Sequence, residues 1–154
     1  VERVGELKIP PVAVFLVFGG LMWVIASALP AVTLSVPGAA IVAAVLAAIG
    51  AALGISGILA FRHHGTTVHP TYPDKASAVV SEGVYRFTRN PMYLGLAMLL
   101  LAWAAWLGNL VSAVFVPSFI AWMTRFQIRP EERALLEKFG PAFRDYTESV
   151  RRWM

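Results

Sequence analysis

The polar stretch that divides this chain is Ser77-Ala-Val-Val-Ser-Glu-Gly-Val-Tyr-Arg-Phe-Thr-Arg-Asn-Pro-Met-Tyr-Leu-Gly95. The pair Asn90-Pro91 within it predicts the start of a helix, because asparagine favours the N-cap position and proline favours the first turn. Free backbone N–H groups at such a start, together with Arg86 and Arg89, form a candidate anion site. A capped helix whose arginines extend to a membrane interface is the structural alternative.

The composition on either side of this stretch indicates a membrane protein. Hydrophobic residues make up 58% of the 154 residues and charged residues only 14%, whereas about a quarter of a soluble domain is charged. No charged side chain occurs between Ile9 and Phe61 or between Asn90 and Thr124. Since a membrane-spanning helix needs about 20 apolar residues, each of these regions has room for a helical hairpin.

We therefore predict an all-α integral membrane protein in which residues 1–154 form a single membrane domain. Four transmembrane helices are expected at about 11–29, 37–61, 91–107 and 110–124, with C-terminal amphipathic helices after them. The last two spans are short, so a partly re-entrant second pair is the alternative. Gly50 and Gly54 in the second span have the spacing of a close helix–helix contact.

The basic residues predict the orientation of these spans. All 13 Lys and Arg residues lie before the first span, between the second and third, or after the fourth, and the loops 31–36 and 108–109 have none. The positive-inside rule then places both termini and the connecting segments 62–90 and 125–154 in the cytoplasm, as in a multi-pass protein of a prokaryotic inner membrane. The net charge of +4 is thus explained without a nucleic-acid partner. The sequence leaves the oligomeric state open.

Two further patterns bear on metal sites. The chain has no cysteine, which excludes a thiol nucleophile and thiolate metal ligands. His63, His64 and His69 lie in the connecting segment, but no acidic partner lies at helical spacing from them. We therefore expect interfacial histidines and no metal site.

An acidic pair, Glu131-Glu132, begins the C-terminal part of the chain. Acidic residues are favoured in the first turn of a helix, and Gly140-Pro141 predicts the end of that helix and the start of another. Apolar residues then recur at steps of three and four, from Phe143 to Trp153, which predicts an amphipathic helix at the membrane interface. A solvated pair of charges is the simple interpretation of Glu131-Glu132. We predict instead that this pair meets the Arg89–Pro91 corner and that the two bind one charged cofactor.

These two segments resemble a known family. The sequence Gly83-Val-Tyr-Arg-Phe-Thr-Arg-Asn-Pro-Met-Tyr-Leu-Gly95, followed by Glu131-Glu-Arg-Ala-Leu-Leu-Glu-Lys-Phe-Gly-Pro-Ala-Phe-Arg-Asp-Tyr146, is similar to the isoprenylcysteine carboxyl methyltransferases and the related phospholipid N-methyltransferases. In those integral membrane methyltransferases an Arg-His/Asn-Pro-x-Tyr segment precedes a helical hairpin, and an acidic pair follows it. The resemblance covers about the C-terminal half of the chain.

The resemblance implies S-adenosylmethionine as methyl donor, bound on the cytoplasmic side and covered by the C-terminal segment. By position it implies cofactor contacts for Ser77, Ala78, Val79, Val80, Tyr85, Asn90, Pro91, Tyr93 and Glu131. Eukaryotic members have a substrate-handling arginine four residues before that glutamate, where this chain has Gln127. Arg125 and Arg129 flank this position and are, with Glu131, the candidate catalytic residues.

The chemistry of the donor agrees with this assignment. S-adenosylmethionine carries a carboxylate, which suits Arg89, and positive groups, which suit Glu131 or Glu132. We therefore predict a membrane methyltransferase that acts on a lipophilic acceptor, either an isoprenylcysteine carboxylate or another lipid or amphiphile. A carboxylate acceptor is ionised at neutral pH and needs no general base. A non-catalytic membrane subunit or small-molecule carrier with the same scaffold is the alternative.

Overall fold

The computed structural model of the protein describes residues 9–65 and 79–154, which fold into helices joined by turns. Three helices come first: α1 (Pro11–Ala28), α2 (Ala39–His63) and α3 (Pro91–Leu107). Four shorter ones follow: α4 (Leu110–Ala113), α5 (Phe115–Met123), α6 (Arg129–Phe139) and α7 (Pro141–Ser149). Within the described ranges, β pairing is limited to an isolated bridge between Thr33 and Asn109. The predicted all-α class is confirmed for this part of the chain.

The helices have the length and composition of membrane spans. Among the described residues, α1, α2 and the helical run Leu110–Phe139 are long and apolar enough to cross a bilayer, and α3 is a shorter apolar helix. Large apolar side chains on α1 and α2, such as Leu16 and Ile41, are more than half exposed, as lipid-facing residues are. The protein thus has three or four candidate membrane-spanning helices. The number of crossings stays a prediction.

Helices α2 and α3 cross with almost no side chain between them. A Cβ atom on Gly95 would lie 2.6 Å from the carbonyl oxygen of Gly50 and 3.0 Å from the backbone nitrogen of Gly54. The predicted small-residue contact of Gly50 and Gly54 is therefore confirmed. One α2 position nearer the C-terminal end of that helix, Gly57, lies against Pro91. This contact fixes where α3 begins, and with it the position of the polar stretch.

The opposite end of the bundle is held by the buried side chain of Asn109. Its amide nitrogen donates to the carbonyl oxygen of Leu29 at 2.8 Å and to the hydroxyl of Thr33 at 3.0 Å. Its amide oxygen accepts from the backbone of Ser112 at 3.0 Å. These hydrogen bonds join the loop after α1 to the turn after α3.

The helical run after Leu110 is longer than predicted. It is interrupted at Val114, between α4 and α5, three residues before Pro117, which has no backbone N–H to donate to the preceding turn. It does not end near residue 124, however. One turn of π-helix, Thr124–Ile128, leads directly into α6. Because this wider turn changes which side chains face inward, Gln127 becomes almost completely buried.

Helix α7 is amphipathic, but its apolar side faces the protein. Phe143 and Tyr146 are buried against Val80 and Tyr85 of the polar stretch. The predicted position of this apolar face at the membrane interface is therefore wrong. A protein surface, formed by the polar stretch before α3, takes the place of the lipid.

Candidate active site

The arginine before α3 and the acidic pair of α6 are in contact. The Nη2 atom of Arg89 lies 3.3 Å from Oε1 of Glu132, and their side chains are only 12% and 17% exposed. The two polar segments, which are far apart in the sequence, thus meet as predicted. Removal of either partner would leave the other charge largely shielded from water and uncompensated, which is costly.

The neighbouring acid, Glu131, lies in a separate set of hydrogen bonds. Its Oε1 atom accepts from the hydroxyl of Tyr93 and, at 2.7 Å, from Nε2 of Gln127. Tyr93 belongs to the first turn of α3, and Gln127 to the π-helical turn. Two donors on one oxygen hold the carboxylate in a fixed orientation and leave its second oxygen for other partners.

Tyr85 lies beside this carboxylate, on the short 3₁₀ turn Gly83–Arg86. It is buried and its ring meets that of Phe61 edge to face at 5.3 Å. Its hydroxyl is buried without a hydrogen-bond partner in the described part of the chain. Burial raises the pKa of the Tyr85 phenol, and the nearby Tyr146 and Glu131 raise it further. Tyr85 is therefore an uncharged phenol at neutral pH, and its hydroxyl can donate a hydrogen bond to a further partner.

Tyr146 of α7 closes the site from the C-terminal side. Its hydroxyl donates to the backbone carbonyl of Tyr85 at 2.8 Å. Burial raises the pKa of Tyr146, while the positive charge of Arg89 acts in the opposite direction. The hydrogen bond and the buried ring together hold the 3₁₀ turn in place.

Asn90 has a different role from the one predicted. It occupies the N-cap position of α3, but its side chain makes no capping hydrogen bond. Its Nδ2 atom donates instead to the carbonyl oxygen of Arg152 at 2.9 Å, and the backbone N–H of Arg89 donates to that of Arg151 at 3.0 Å. The prediction of a side-chain cap is therefore wrong, because the C-terminal tail supplies a more distant partner.

Arg152 completes the attachment of this tail. Its Nη2 and Nε atoms bond to the Glu132 carboxylate at 2.7 and 3.1 Å, and this hydrogen bonding raises the pKa of the Arg152 guanidinium. One residue later, the indole N–H of Trp153 donates to the hydroxyl of Thr124 at 3.0 Å. No sequence pattern predicted Arg152 or Tyr146 as part of the site. The amphipathic pattern suggested a membrane surface for this segment and gave no sign of a partner within the chain.

The other predicted residues are distributed as follows. Val80 and Pro91 are buried and Val79 is partly buried, all at the edge of the site. The Arg125 guanidinium lies 5.3 Å from the centre of the Phe126 ring, and Arg129 is exposed on α6. Ser77 and Ala78 lie outside the described residues.

The histidines show no joint site in the described ranges. The ring of His64 bonds through Nδ1 to the carbonyl of Ala60 at 2.9 Å, and its Nε2 lies 3.6 Å from the Glu82 carboxylate. His63 lies beside it, with ring centres 5.7 Å apart, whereas His69 is outside the described residues. No group of three potential metal ligands occurs among the residues that the structure describes.

Comparison with known proteins identifies the family. A family model described as phospholipid methyltransferase matches residues 39–142, which is more than half of the chain and includes the first polar segment and most of the second. An uncharacterized protein of Haemophilus influenzae is 48% identical over 63 residues, which are 41% of this chain and the whole of that protein. No solved structure matches the chain. By the extent of the family match, this chain belongs to the phospholipid methyltransferase family, and membership implies a membrane methyltransferase.

Proposed function

We propose that the protein is an S-adenosylmethionine-dependent methyltransferase that acts on a lipophilic acceptor at the cytoplasmic side of the membrane. The observation that carries the proposal is the contact of Tyr93 with Glu131, residues 38 positions apart. Together with the Arg89–Glu132 pair, it brings both signs of charge to the first turn of α3. Such a combination suits a ligand that is itself a zwitterion.

The side chains at this place fit the donor. Arg89, at the start of α3, would bind its carboxylate, and Glu131, with one oxygen left, would bind a positive group. The buried hydroxyl of Tyr85 lacks a partner within the described residues, and a buried polar group is normally satisfied, so a bound ligand would supply the missing acceptor. We retain Ser77, Ala78, Val79, Val80, Asn90, Pro91, Tyr93 and Glu132 as the further cofactor-binding residues.

The contribution of the chain is chiefly to bind, orient and exclude water. When bound, S-adenosylmethionine supplies an electrophilic methyl group, and the electron pair of its carbon–sulfur bond remains on sulfur. Alignment of two reactants in a closed site contributes up to about 7–11 kcal/mol. Helix α7 and the tail from Val150 to Met154 cover this site and would keep water from it, while the donors on Glu131 keep its carboxylate in place.

The candidate residues for acceptor binding flank Gln127. Arg125 and Arg129 are our candidates for acceptor binding, with Glu131 as the third catalytic candidate. Gln127 stands where eukaryotic relatives have an arginine, and its amide donates to Glu131. It therefore adds no positive charge for a carboxylate, which favours a lipid or amphiphile other than an isoprenylcysteine. Both termini, and with them the site, would face the cytoplasm from a prokaryotic inner membrane.

The test is transfer of a labelled methyl group by the purified protein in lipid vesicles. Extracted lipids, prenylated thiols and small amphiphiles would be offered in parallel, with Glu131→Gln as the matched inactive control. We expect label in one class of acceptor, and at least tenfold less with the variant. The alternative, a non-catalytic subunit or carrier, predicts no label in any class although the donor binds.

A further inference from the structure

A cavity of about 500 Å³ lies between α6, α7 and the C-terminal tail. Most of the charged residues in its lining are basic. Glu132 is the acidic residue in the lining, whereas five arginines contribute to it: Arg89, Arg129, Arg133, Arg144 and Arg152. Leu136 and Phe143 form an apolar part of the same wall.

This cavity adjoins the candidate cofactor site and shares Arg89 and Glu132 with it. Consecutive residues of an α-helix point about 100° apart, so Glu131 and Glu132 face different surroundings. Glu131 is bonded to Tyr93, whereas Glu132 is bonded to Arg89 and Arg152. The Arg89–Glu132–Arg152 cluster therefore forms a wall of the basic cavity on the side away from Tyr93.

The positive charge of the cavity exceeds what its acid can balance. Glu132 already pairs with Arg89 and Arg152. Arg129 and Arg144 are exposed, and neither forms a salt bridge within the described residues. In addition, the Nε atom of Arg89 is buried without a hydrogen-bond partner among those residues. The cavity thus has unsatisfied donors as well as excess charge, and both favour an anion.

We propose that this cavity binds the phosphate of an anionic phospholipid of the surrounding bilayer. The planar guanidinium group matches a phosphate with two parallel hydrogen bonds. Leu136 and Phe143 would contact the first carbon atoms of the lipid. The cavity lies beside the first turn of α3, where basic residues attract anionic headgroups. The lipid in this site is a bound neighbour and not the methyl acceptor. Because the cavity shares Arg89, Arg129 and Glu132 with the proposed active site, the test measures lipid retention and not methyl transfer.

The test compares lipid retention by native mass spectrometry of the detergent-solubilised protein. Phosphatidylglycerol and phosphatidylcholine would be added at equal concentration, because they share a phosphate and differ in net charge. We expect preferential retention of phosphatidylglycerol. The double variant Arg133→Gln/Arg144→Gln should weaken it by at least about tenfold, the value of one hydrogen bond to a charged group.

Two controls make the result specific. Arg62→Gln/Arg86→Gln removes the same charge from exposed positions outside the cavity lining and should retain phosphatidylglycerol as the wild type does. Arg133→Lys/Arg144→Lys keeps the charge without the planar fork and should give an intermediate loss. Melting temperatures of all variants would be measured to verify that they fold.

Three results would overturn the proposal. One is equal retention of the two lipids by the wild type. Another is an equal loss in the cavity variant and in the Arg62/Arg86 control. The third is displacement of phosphatidylglycerol by inorganic phosphate at a similar concentration, since this would make a soluble phosphate compound the ligand.

Discussion

Tyr85 and Tyr146 are neighbouring buried phenols that differ in their hydrogen bonds. The hydroxyl of Tyr146 has a partner, the carbonyl of Tyr85, whereas the hydroxyl of Tyr85 has none among the described residues. Loss of a paired buried hydroxyl costs about 0.5–1.5 kcal/mol, but loss of an unpaired one is neutral or stabilising. Replacement of each tyrosine by phenylalanine therefore tests whether its hydroxyl serves ligand binding or the stability of the fold.

We predict that Tyr85→Phe leaves the melting temperature unchanged or raises it, while it weakens S-adenosylhomocysteine binding by up to about tenfold, the value of one hydrogen bond. Tyr146→Phe should lower stability by about 1 kcal/mol. Thermal unfolding in detergent and calorimetric titration measure the two effects. A fall in stability for Tyr85→Phe with unchanged affinity would show that its hydroxyl serves the fold.

At this scale the sequence predicted that Glu131 and Glu132 lie near the Arg89–Pro91 corner, but not that the two acids have different partners there. Glu131 and Glu132 are adjacent, so the sequence suggested that both bind the same ligand. The structure separates them because a helix directs neighbouring side chains to different sides. Gln127 was recognised only as a departure from the family pattern. Its hydrogen bond to Glu131 depends on the π-helical turn, which has no clear signature in sequence.

Among the elements, the α2–α3 contact was the most predictable because glycine spacing encodes it directly. Gly95→Ala would place a methyl group 2.6 Å from the Gly50 carbonyl oxygen, so the helices must separate. We predict a loss of about 1–3 kcal/mol, as for other overpacked sites. Gly20→Ala on α1 is the control, since its Cβ would meet nothing within 4 Å. Equal melting temperatures for the two variants would contradict the observed crossing.

The C-terminal tail is an element that local patterns could not place. Arg152→Gln removes the charged bonds to Glu132, and Arg151→Gln changes an exposed neighbour. We predict that the first variant loses about 1 kcal/mol, the upper range for a partly exposed ion pair, and speeds amide exchange at Arg89, whose N–H bonds to the tail. Hydrogen-exchange mass spectrometry would measure this. The same exchange rate in both variants would mean that Arg152 does not hold the tail.

For the whole molecule, the distribution of charge predicts the topology. The loop 31–36 has no basic residue, and residues 62–90 have four. Because the chain has no cysteine, single cysteines at the exposed positions Ser35 and Ser81 can be labelled separately. We predict that an impermeant maleimide modifies Ser35→Cys from the periplasmic side of intact cells and Ser81→Cys only after the membrane is opened. Labelling of both positions from one side would contradict the four-span topology.

The helical class and the membrane environment could be predicted from the two regions without charged residues, because regions of that length fit helical membrane hairpins and few other folds. That the two polar segments meet was a hypothesis about tertiary structure. In the structure two features bring them together, namely the crossing of α2 and α3 and the continuation of the helix after Thr124. The helix that contains the fourth predicted span continues past residue 124, because the charged residues that begin at Arg125 end the apolar stretch but not the helix, which runs on through the π-helical turn Thr124–Ile128.

The central claim is that these two segments close around one zwitterionic cofactor, and calorimetric titration with S-adenosylhomocysteine tests it most directly. Wild-type protein should bind, and Glu131→Gln should bind about 10–100-fold more weakly, as expected for loss of a hydrogen bond to a charged group. Glu137→Gln, an exposed acid on the same helix, should bind like the wild type. No binding by the wild type, or equal affinity in both variants, would contradict the account.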